Sequence, residues 1–220
     1  DCSSQRRHQK VIEEAPASNL SEQARRRLWK AAIDLASSVK YESAGTCEFL
    51  VDAKENIFFL EMNTRLQVEH PVTELVWSVD LVAAQIEIAN GKKLSEIIPH
   101  VDHLSARGHA IEVRIYAEDP AKGFMPQPGE LTTVQWPRDS FVRVDYGYET
   151  GSVVPIFYDA QLAKIIAFGM NREHARKNML NALGSTVIEG VRWNGAYLRD
   201  ILNHAEFVQG RVTTQFLGEK

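Results

Sequence analysis

The chain has 220 residues, with 44% hydrophobic and 25% charged residues and a formal net charge of -4. This composition is ordinary for a globular protein with a packed core, and the negative charge excludes a global basic field that would recruit nucleic acid or an anionic membrane. Two cysteines are too few for a disulfide framework and fit a reducing compartment, and no apolar run approaches the roughly 20 residues of a membrane-spanning helix.

Predicted strands and helices alternate along the first half of the chain. Apolar residues at helical spacing predict helices, short apolar runs that end at a proline or a polar link predict strands, and serine or aspartate side chains are placed to cap helices. The predicted elements are a strand at 11–15, a helix at 21–39 capped by Ser21, a hairpin with strands at 47–51 and 57–62, and a helix in two pieces at 72–90, the second capped by Asp80.

The second half is richer in strands. Apolar and polar residues alternate over 109–118, which predicts a strand with Arg114 on its polar face, a position where an arginine is more commonly a plain surface charge. Together the two halves predict an α+β fold around an antiparallel sheet. The other predicted elements are strands at 131–136, 141–144, 162–168 and 187–191, a helix at 171–183 capped by Asn171, and a helix at 194–202.

The predicted hairpin carries two glutamates. Glu48 and Glu61 fall opposite each other or one step off, so their carboxylates lie on one face, and Asn63 projects to that face too. Two like charges at this spacing are unfavourable unless a cation or a proton lies between them. A solvated hairpin face is the commoner explanation of the spacing alone. Two carboxylates and an amide nevertheless form an all-oxygen set that suits Mg²⁺ shared with phosphates.

Polar residues of different chemistry alternate after the hairpin. On an extended chain the side chains at 61, 63, 65, 67 and 69 lie on one face. Arg65 is then placed to hold a small planar oxyanion, and Glu69 at the end of the row is placed to act as a base. This row favours a catalytic site over a passive surface strand.

Three longer strings carry a family resemblance. They are EMNTRLQVEHPVTE at 61–74, CSSQRRHQKVIEEAP at 2–16 and GHAIEVRIYAEDP at 108–120. All three resemble biotin carboxylases, the resemblance covers essentially the whole chain, and the two hairpin glutamates with Asn63 resemble the metal-binding signature of ATP-grasp enzymes. The resemblance implies an ATP-grasp carboxy-terminal portion at 1–105, with a mainly antiparallel sheet flanked by helices, followed by a biotin carboxylase C-terminal subdomain at 106–220.

The resemblance implies a role for each polar residue around the hairpin. Glu48 and Glu61 would bind the Mg²⁺ or Mn²⁺ ions that bridge the phosphates of ATP, with Asn63 assisting. A second set would hold and activate bicarbonate, with Arg65, Gln67 and the backbone of Val68 as its contacts and Glu69 as the general base that deprotonates it.

It also implies roles for residues outside the hairpin. Lys10 would contribute to the bicarbonate or phosphate pocket, and His8 and Gln5 would lie near the nucleotide. Arg114 would stabilise the enolate-like form of biotin after its ureido nitrogen loses a proton, since arginine stays charged and presents fixed donors.

The implied reaction is the carboxylation of biotin, which depends on MgATP and bicarbonate and passes through carboxyphosphate. Biotin would be attached to a carrier domain, because no Met-Lys-Met attachment motif occurs in this chain. A carboxyltransferase component and a second copy of the chain are the other implied partners, and the implied compartment is the cytoplasm or the mitochondrial matrix. The Asn63-Thr64 pair favours an acyl-CoA carboxylase as the parent protein.

Two alternatives stay open, and the chain is expected to be a fragment. It opens without an initiator Met and lacks the glycine-rich lid that the family uses, so we expect it to be inactive alone. One alternative is another ATP-grasp carboxylate ligase. The other is a dimerisation module that uses the strands at 131–168, with Arg143 as the residue to test.

Overall fold

The computed structural model describes residues 1–99, 101 and 104–218. In chain order the strands of these residues are β1 (Ser4–Arg6), β2 (Gln9–Ala15), β3 (Thr46–Val51), β4 (Ile57–Asn63), β5 (His109–Tyr116), β6 (Glu118–Asp119), β7 (Met125–Pro126), β8 (Gly129–Glu130), β9 (Thr133–Gln135), β10 (Val142–Tyr146), β11 (Val153–Val154), β12 (Gln161–Gly169) and β13 (Val187–Glu189). Their helices are α1 (Glu22–Ser38), α2 (His70–Trp77), α3 (Leu81–Ala89), α4 (Leu94–Ile97), α5 (Arg172–Ser185), α6 (Gly195–Asn203) and α7 (Ala205–Val208).

The chain forms two compact units. The sheet unit joins residues 1–16 to residues 107–220, and the hairpin unit comprises residues 17–106. The predicted domains, which divide the chain after residue 105, stay a prediction. The first 16 residues nevertheless supply strands to the sheet of the later segment. Each helix in the described part of the chain is too short or too polar to span a membrane.

A five-stranded antiparallel sheet forms the centre of the sheet unit, in the order β1-β2-β5-β12-β10. One face is the core: Ile111, Val113 and Ile115 on β5 and Ile165 on β12 are fully buried, and α5 packs against these strands. Each such aliphatic side chain contributes about 1.5–3 kcal/mol when it leaves water. The predicted antiparallel α+β architecture is thus confirmed in this unit.

The other face of β5 is polar, as the alternation predicts, and it is also buried. Glu112 is 0% exposed and Tyr116 is 4% exposed. Charged groups are seldom buried without partners, because desolvation of an isolated charge costs more than most contacts return. The charged groups of this face therefore require partners within the protein.

The hairpin unit has α1, the β3–β4 hairpin and the α2–α3 pair. Its core is small, and the buried apolar residues among those described are Ala24, Pro71, Val72, Val76 and Ala84. The break between α2 and α3 occurs at Ser78, whose φ of 54° is left-handed and cannot continue a helix. The two-piece helix predicted for residues 72–90 is confirmed.

The three predicted helix caps are confirmed. The side chains of Ser21, Asp80 and Asn171 each accept a hydrogen bond from the backbone N–H three residues later, at 3.1, 2.7 and 2.9 Å. Other predictions are inexact. The strand predicted at 131–136 is only β9, with Leu131 buried in the core before it.

Candidate active site

The two hairpin glutamates lie directly opposite each other. β3 pairs with β4 so that Glu48 faces Glu61, and the register shifts by a bulge between Glu48 and Phe49. The amide nitrogen of Asn63 donates to both carboxylates, at 3.1 Å to Glu48 and 2.9 Å to Glu61. Gln67 donates a further hydrogen bond of 2.7 Å to Glu48. These N–H donors offset part of the repulsion between the two charges.

The donor chemistry of this cluster fits a hard divalent cation. Carboxylate and amide oxygens are the ligands that Mg²⁺ takes in proteins, usually with one or two carboxylates and with phosphates completing its shell. Among the described residues, no group of three or more His, Cys, Asp or Glu side chains could hold a metal alone. Two opposed carboxylates therefore fit a cation that a phosphorylated substrate shares.

The extended row predicted for residues 61–69 is wrong beyond Asn63. The strand ends there because Asn63 pairs with Thr46, the first residue of β3, and the ladder has no further partner. The chain then bends at Arg65 and turns at Val68 and Glu69 into α2. This turn brings the side chain of Gln67 back into contact with Glu48.

Arg65 and Glu69 occupy different positions around the turn. The Arg65 side chain is exposed and donates to Asn63 Oδ1 at 3.4 Å, so its guanidinium lies beside the carboxylate cluster. Glu69 is half-buried and precedes the first residue of α2, where the helix dipole favours negative charge. Gln67 lies between Arg65 and Glu69 in the sequence, and its side chain is buried. Its Oε1 has no hydrogen-bond partner among the described residues.

Three predicted residues of the sheet unit lie on the β1–β2 hairpin. Gln5 and Lys10 are cross-strand partners, so their side chains share a face. His8 lies in the turn, exposed, with a φ of 65° that follows the 50° of Arg7. Two successive left-handed residues fold the hairpin sharply and direct this turn into solvent.

Arg114 belongs to a row of charges across the polar face of the sheet. Its Nε donates to Glu13 Oε1 at 2.6 Å, and Glu13 is only 1% exposed. Arg114 pairs in register with Lys164 on β12, and Lys164 pairs with Asp145 on β10. The guanidinium of Arg114 is thus fixed in place by a buried carboxylate.

Asp145 closes the far end of this charge row. It accepts two hydrogen bonds from Arg143, at 2.7 and 2.9 Å, and its carboxylate is 3.5 Å from Lys164 Nζ. Burial opposes its charged form, but these cations prevail and hold the pKa of Asp145 below its usual 3.8. Sequence reasoning missed Glu13 and Asp145, although Asp145 lies two residues after Arg143, just beyond the strand predicted at 141–144.

Known proteins match both parts of the chain. A family model described as the ATP-binding domain of the carbamoyl-phosphate synthase L chain matches residues 1–97, and one described as the biotin carboxylase C-terminal domain matches residues 112–219. The chain therefore belongs to the biotin carboxylase family, whose solved members share this ATP-grasp fold.

Individual relatives match this chain over its full length. The mitochondrial propionyl-CoA carboxylase alpha chain of Sus scrofa is 48% identical over 221 residues, which is 100% of this chain and 30% of the relative. Biotin carboxylase from Campylobacter jejuni superposes with a TM-score of 0.95 at 39% identity, over 100% of this chain and 48% of that one.

A third relative was solved with ligands. The biotin carboxylase domain of 2-oxoglutarate carboxylase from Hydrogenobacter thermophilus, a dimer in complex with MgADP, ADP and bicarbonate, has a TM-score of 0.94 at 39% identity, over 100% of this chain and 48% of that one. The chain spans about 30% of the length of the curated relatives it matches.

Proposed function

We propose that the parent protein is a biotin carboxylase that uses MgATP and bicarbonate to carboxylate biotin through carboxyphosphate. The observation that carries the proposal is the hairpin cluster, in which Glu48 and Glu61 are directly opposed and Asn63 and Gln67 bridge to their carboxylates. Like charges directly opposite each other on a hairpin are destabilising. A phosphate-bound cation between the two carboxylates would offset this repulsion.

The metal would be held by Glu48 and Glu61, with Asn63 assisting. When bound with ATP, Mg²⁺ or Mn²⁺ neutralises charge that develops on the transferring phosphoryl group. The protein side chains keep the carboxylates at a fixed separation before any ion arrives, because the Asn63 amide bonds to both. Such preorganisation reduces the reorganisation that transfer requires.

Bicarbonate would lie against Arg65, Gln67 and the backbone of Val68. The exposed guanidinium of Arg65 supplies charge-assisted donors for the anion. Glu69 would take the bicarbonate proton. Bicarbonate is a poor nucleophile until this proton leaves, so the base has a defined purpose in its attack on the γ-phosphate.

Biotin would be activated at Arg114. Once the ureido nitrogen loses its proton, negative charge develops on the ureido oxygen, and a guanidinium held by Glu13 stabilises it without having to move. Lys10 would add positive charge to the anion pocket, and His8 and Gln5 would lie toward the nucleotide. All four roles follow the family resemblance, and the fixed position of the Arg114 side chain supports the role of that residue.

The partners follow the family resemblance, and the names of the relatives support the compartment. A biotin carrier domain would present the substrate, a carboxyltransferase component would receive the carboxyl group, and two copies of the chain would form a homodimer. Because the alpha chains of propionyl-CoA and methylcrotonoyl-CoA carboxylase are named as mitochondrial, we favour an acyl-CoA carboxylase of the mitochondrial matrix over a cytoplasmic one.

The test uses the intact parent protein with free biotin as acceptor. We expect ATP cleavage that requires bicarbonate and rises when biotin is added, together with labelled carboxybiotin from labelled bicarbonate. The exposed Glu42→Gln variant in the hairpin unit serves as a matched control and should retain full activity. Bicarbonate-dependent ATP cleavage that is indifferent to biotin and carboxylates another acceptor would identify a different ATP-grasp ligase. The isolated 220 residues should show no ATP cleavage.

A further inference from the structure

A buried asparagine at the start of α6 bonds to β5 instead of capping its own helix. Asn194 precedes the first residue of α6, a position where an asparagine side chain commonly accepts a hydrogen bond from the first helical turn, yet its side chain makes no such bond. The residue is only 2% exposed. A buried amide is costly without partners, so the bonds that Asn194 makes elsewhere indicate its role.

Asn194 makes three hydrogen bonds with the backbone of β5. Its Nδ2 donates to Arg114 O at 2.9 Å, its Oδ1 accepts from Tyr116 N–H at 3.0 Å, and its own backbone N–H donates to Tyr116 O at 3.1 Å. A side-chain amide carries an acceptor oxygen and N–H donors, as a peptide group does. Asn194 therefore bonds to this end of β5 in the way that a neighbouring strand would.

The strand ladder around β5 weakens at these same residues. The register of β2 with β5 ends at the pair of Ile12 and Val113. On the other side of β5, the register of β12 shifts where it reaches Tyr116. Buried backbone groups need hydrogen-bond partners, and Asn194 supplies them at Arg114 and Tyr116. The position of both residues thus depends on a side chain that is distant in the sequence.

Tyr116 contacts the side chain of Arg114 directly. The two residues lie on the same face of β5, and the hydroxyl of Tyr116 is hydrogen-bonded with Arg114 and Gln9. Because a guanidinium can only donate, the hydroxyl oxygen is the acceptor. Tyr116 is 4% exposed, and burial raises its pKa against the opposing charge of Arg114, so the hydroxyl stays neutral. The guanidinium is therefore held by the carboxylate of Glu13 and by this hydroxyl.

We propose that Tyr116 and Asn194, named here the Arg114 clamp, are positioning residues for the carboxylation of biotin. Asn194 fixes the backbone of β5 at Arg114 and Tyr116, and Tyr116 fixes the direction of the guanidinium. The inference rests on the proposed function, in which Arg114 stabilises negative charge on the ureido oxygen. Such donors act best when they are aligned before the reaction, and a misplacement of about 1 Å costs about 100-fold in rate.

The first experiment is Tyr116→Phe in the intact parent enzyme, with free biotin as acceptor. The variant removes one oxygen atom and keeps the ring, so the packing of β5 should be preserved. We expect kcat for biotin carboxylation to fall about tenfold, while KM for biotin and the calorimetric affinity for Mn²⁺–ATP stay within about twofold of wild type. Tyr197→Phe removes the hydroxyl of a half-buried tyrosine in the same unit and is the matched control, which should change none of these quantities.

Asn194→Ala tests the other half of the Arg114 clamp. It removes both side-chain bonds to β5 and costs α6 no cap bond, so we expect kcat to fall by about tenfold or more with the same constancy of KM and Mn²⁺–ATP affinity. Asn178→Ala is the matched control, because Asn178 Nδ2 donates to Phe168 O of β12 at 2.8 Å. This control should lower the melting temperature and leave kcat unchanged.

Each result decides the matter. An unchanged kcat in Tyr116→Phe would overturn the proposal, and so would a loss that affects KM or Mn²⁺–ATP affinity as much as kcat, since that result indicates a merely structural role. An equal loss of kcat in Asn178→Ala and Asn194→Ala would overturn it too. If Asn194→Ala fails to fold, Tyr116→Phe decides alone. A wild-type enzyme that does not carboxylate free biotin would instead refute the proposed function, so the two failures are distinguishable.

Discussion

Replacement of Glu14 by glutamine should destabilise the sheet unit more than any exposed charge change. The carboxylate is 8% exposed and accepts three hydrogen bonds: one from Arg172 Nε at 2.6 Å, one from Arg172 Nη2 at 3.1 Å, and one shared with His109 Nε2 at 2.7 Å. Arg172 also donates to the carbonyl of Phe207 at 2.6 Å. Glu14 thereby links β2 to β5, to α5 and, through Arg172, to α7.

The expected loss of stability in the Glu14→Gln variant follows from the burial of this ion pair. Removal of one partner of a buried pair costs about 3–5 kcal/mol, because the remaining charge stays buried without its counterion. Glutamine keeps the shape and one acceptor oxygen, so we expect the lower limit, about 3 kcal/mol. For a chain of this length each kcal/mol corresponds to about 2–4 °C, so the melting temperature should fall by about 6–12 °C.

Thermal unfolding followed by circular dichroism measures this effect, with Glu206→Gln as the control. Glu206 makes a comparable contact with Arg211, at 2.8 Å, but is 41% exposed. The Glu206→Gln substitution should therefore lower the free energy of unfolding by less than about 1 kcal/mol. Similar losses from the two substitutions, or a loss below about 1 kcal/mol for Glu14→Gln, would refute the reasoning from burial.

The pH dependence supplies a second test of the same contact. Burial opposes the charged form of Glu14, but hydrogen bonds from His109 and Arg172 outweigh it and hold its pKa below the usual 4.5. A carboxyl group with a depressed pKa in the folded state contributes its stability above the unfolded value and loses it as pH falls through the folded value. The stability gap between wild type and Glu14→Gln should therefore be constant well above the unfolded value of 4.5 and should narrow progressively as pH falls through 4.5 toward the lower folded value.

Three further predictions address the site and the scaffold. In the intact parent, Glu61→Gln should weaken binding of Mn²⁺–ATP by about tenfold or more in calorimetry, since one of two opposed charges is lost, and unchanged affinity would count against the metal site. Arg114→Gln should slow carboxylation of free biotin while the calorimetric affinity for Mn²⁺–ATP stays as in wild type; equal damage to both would contradict its proposed role. Asp80→Ala removes the 2.7 Å bond to Ala83 N–H and should cost about 1 kcal/mol in urea unfolding, whereas Asp80→Asn should be nearly neutral.

Local patterns predicted the elements of this fold well. The caps at Ser21, Asp80 and Asn171 act within one helical turn, so their identity and position in the sequence suffice to place them. The hairpin register also follows from local information, because a five-residue link between two apolar strands leaves Glu48 and Glu61 few ways to pair.

Local patterns could not predict contacts between residues that are far apart in the sequence. The row after Asn63 was predicted to stay extended because its polar residues alternate, but extension needs a neighbouring strand, and β3 begins too late to provide one. The return of Gln67 to Glu48 depends on a turn without a sequence signal of its own. The pairing of Arg114 with Glu13, 101 residues apart, follows only from the order of strands in the sheet.

The adjacency of β2 and β5 has a practical consequence for protein engineering. Ala15, the last residue of β2, lies directly opposite Ala110, the second residue of β5, although more than ninety positions separate them in the sequence. The hairpin unit is thus inserted at a point where the two flanking strands already meet. Excision of residues 17–106 and closure of the gap with a short glycine-containing turn would give a continuous gene for the sheet unit, with its strand order preserved and its termini unmoved.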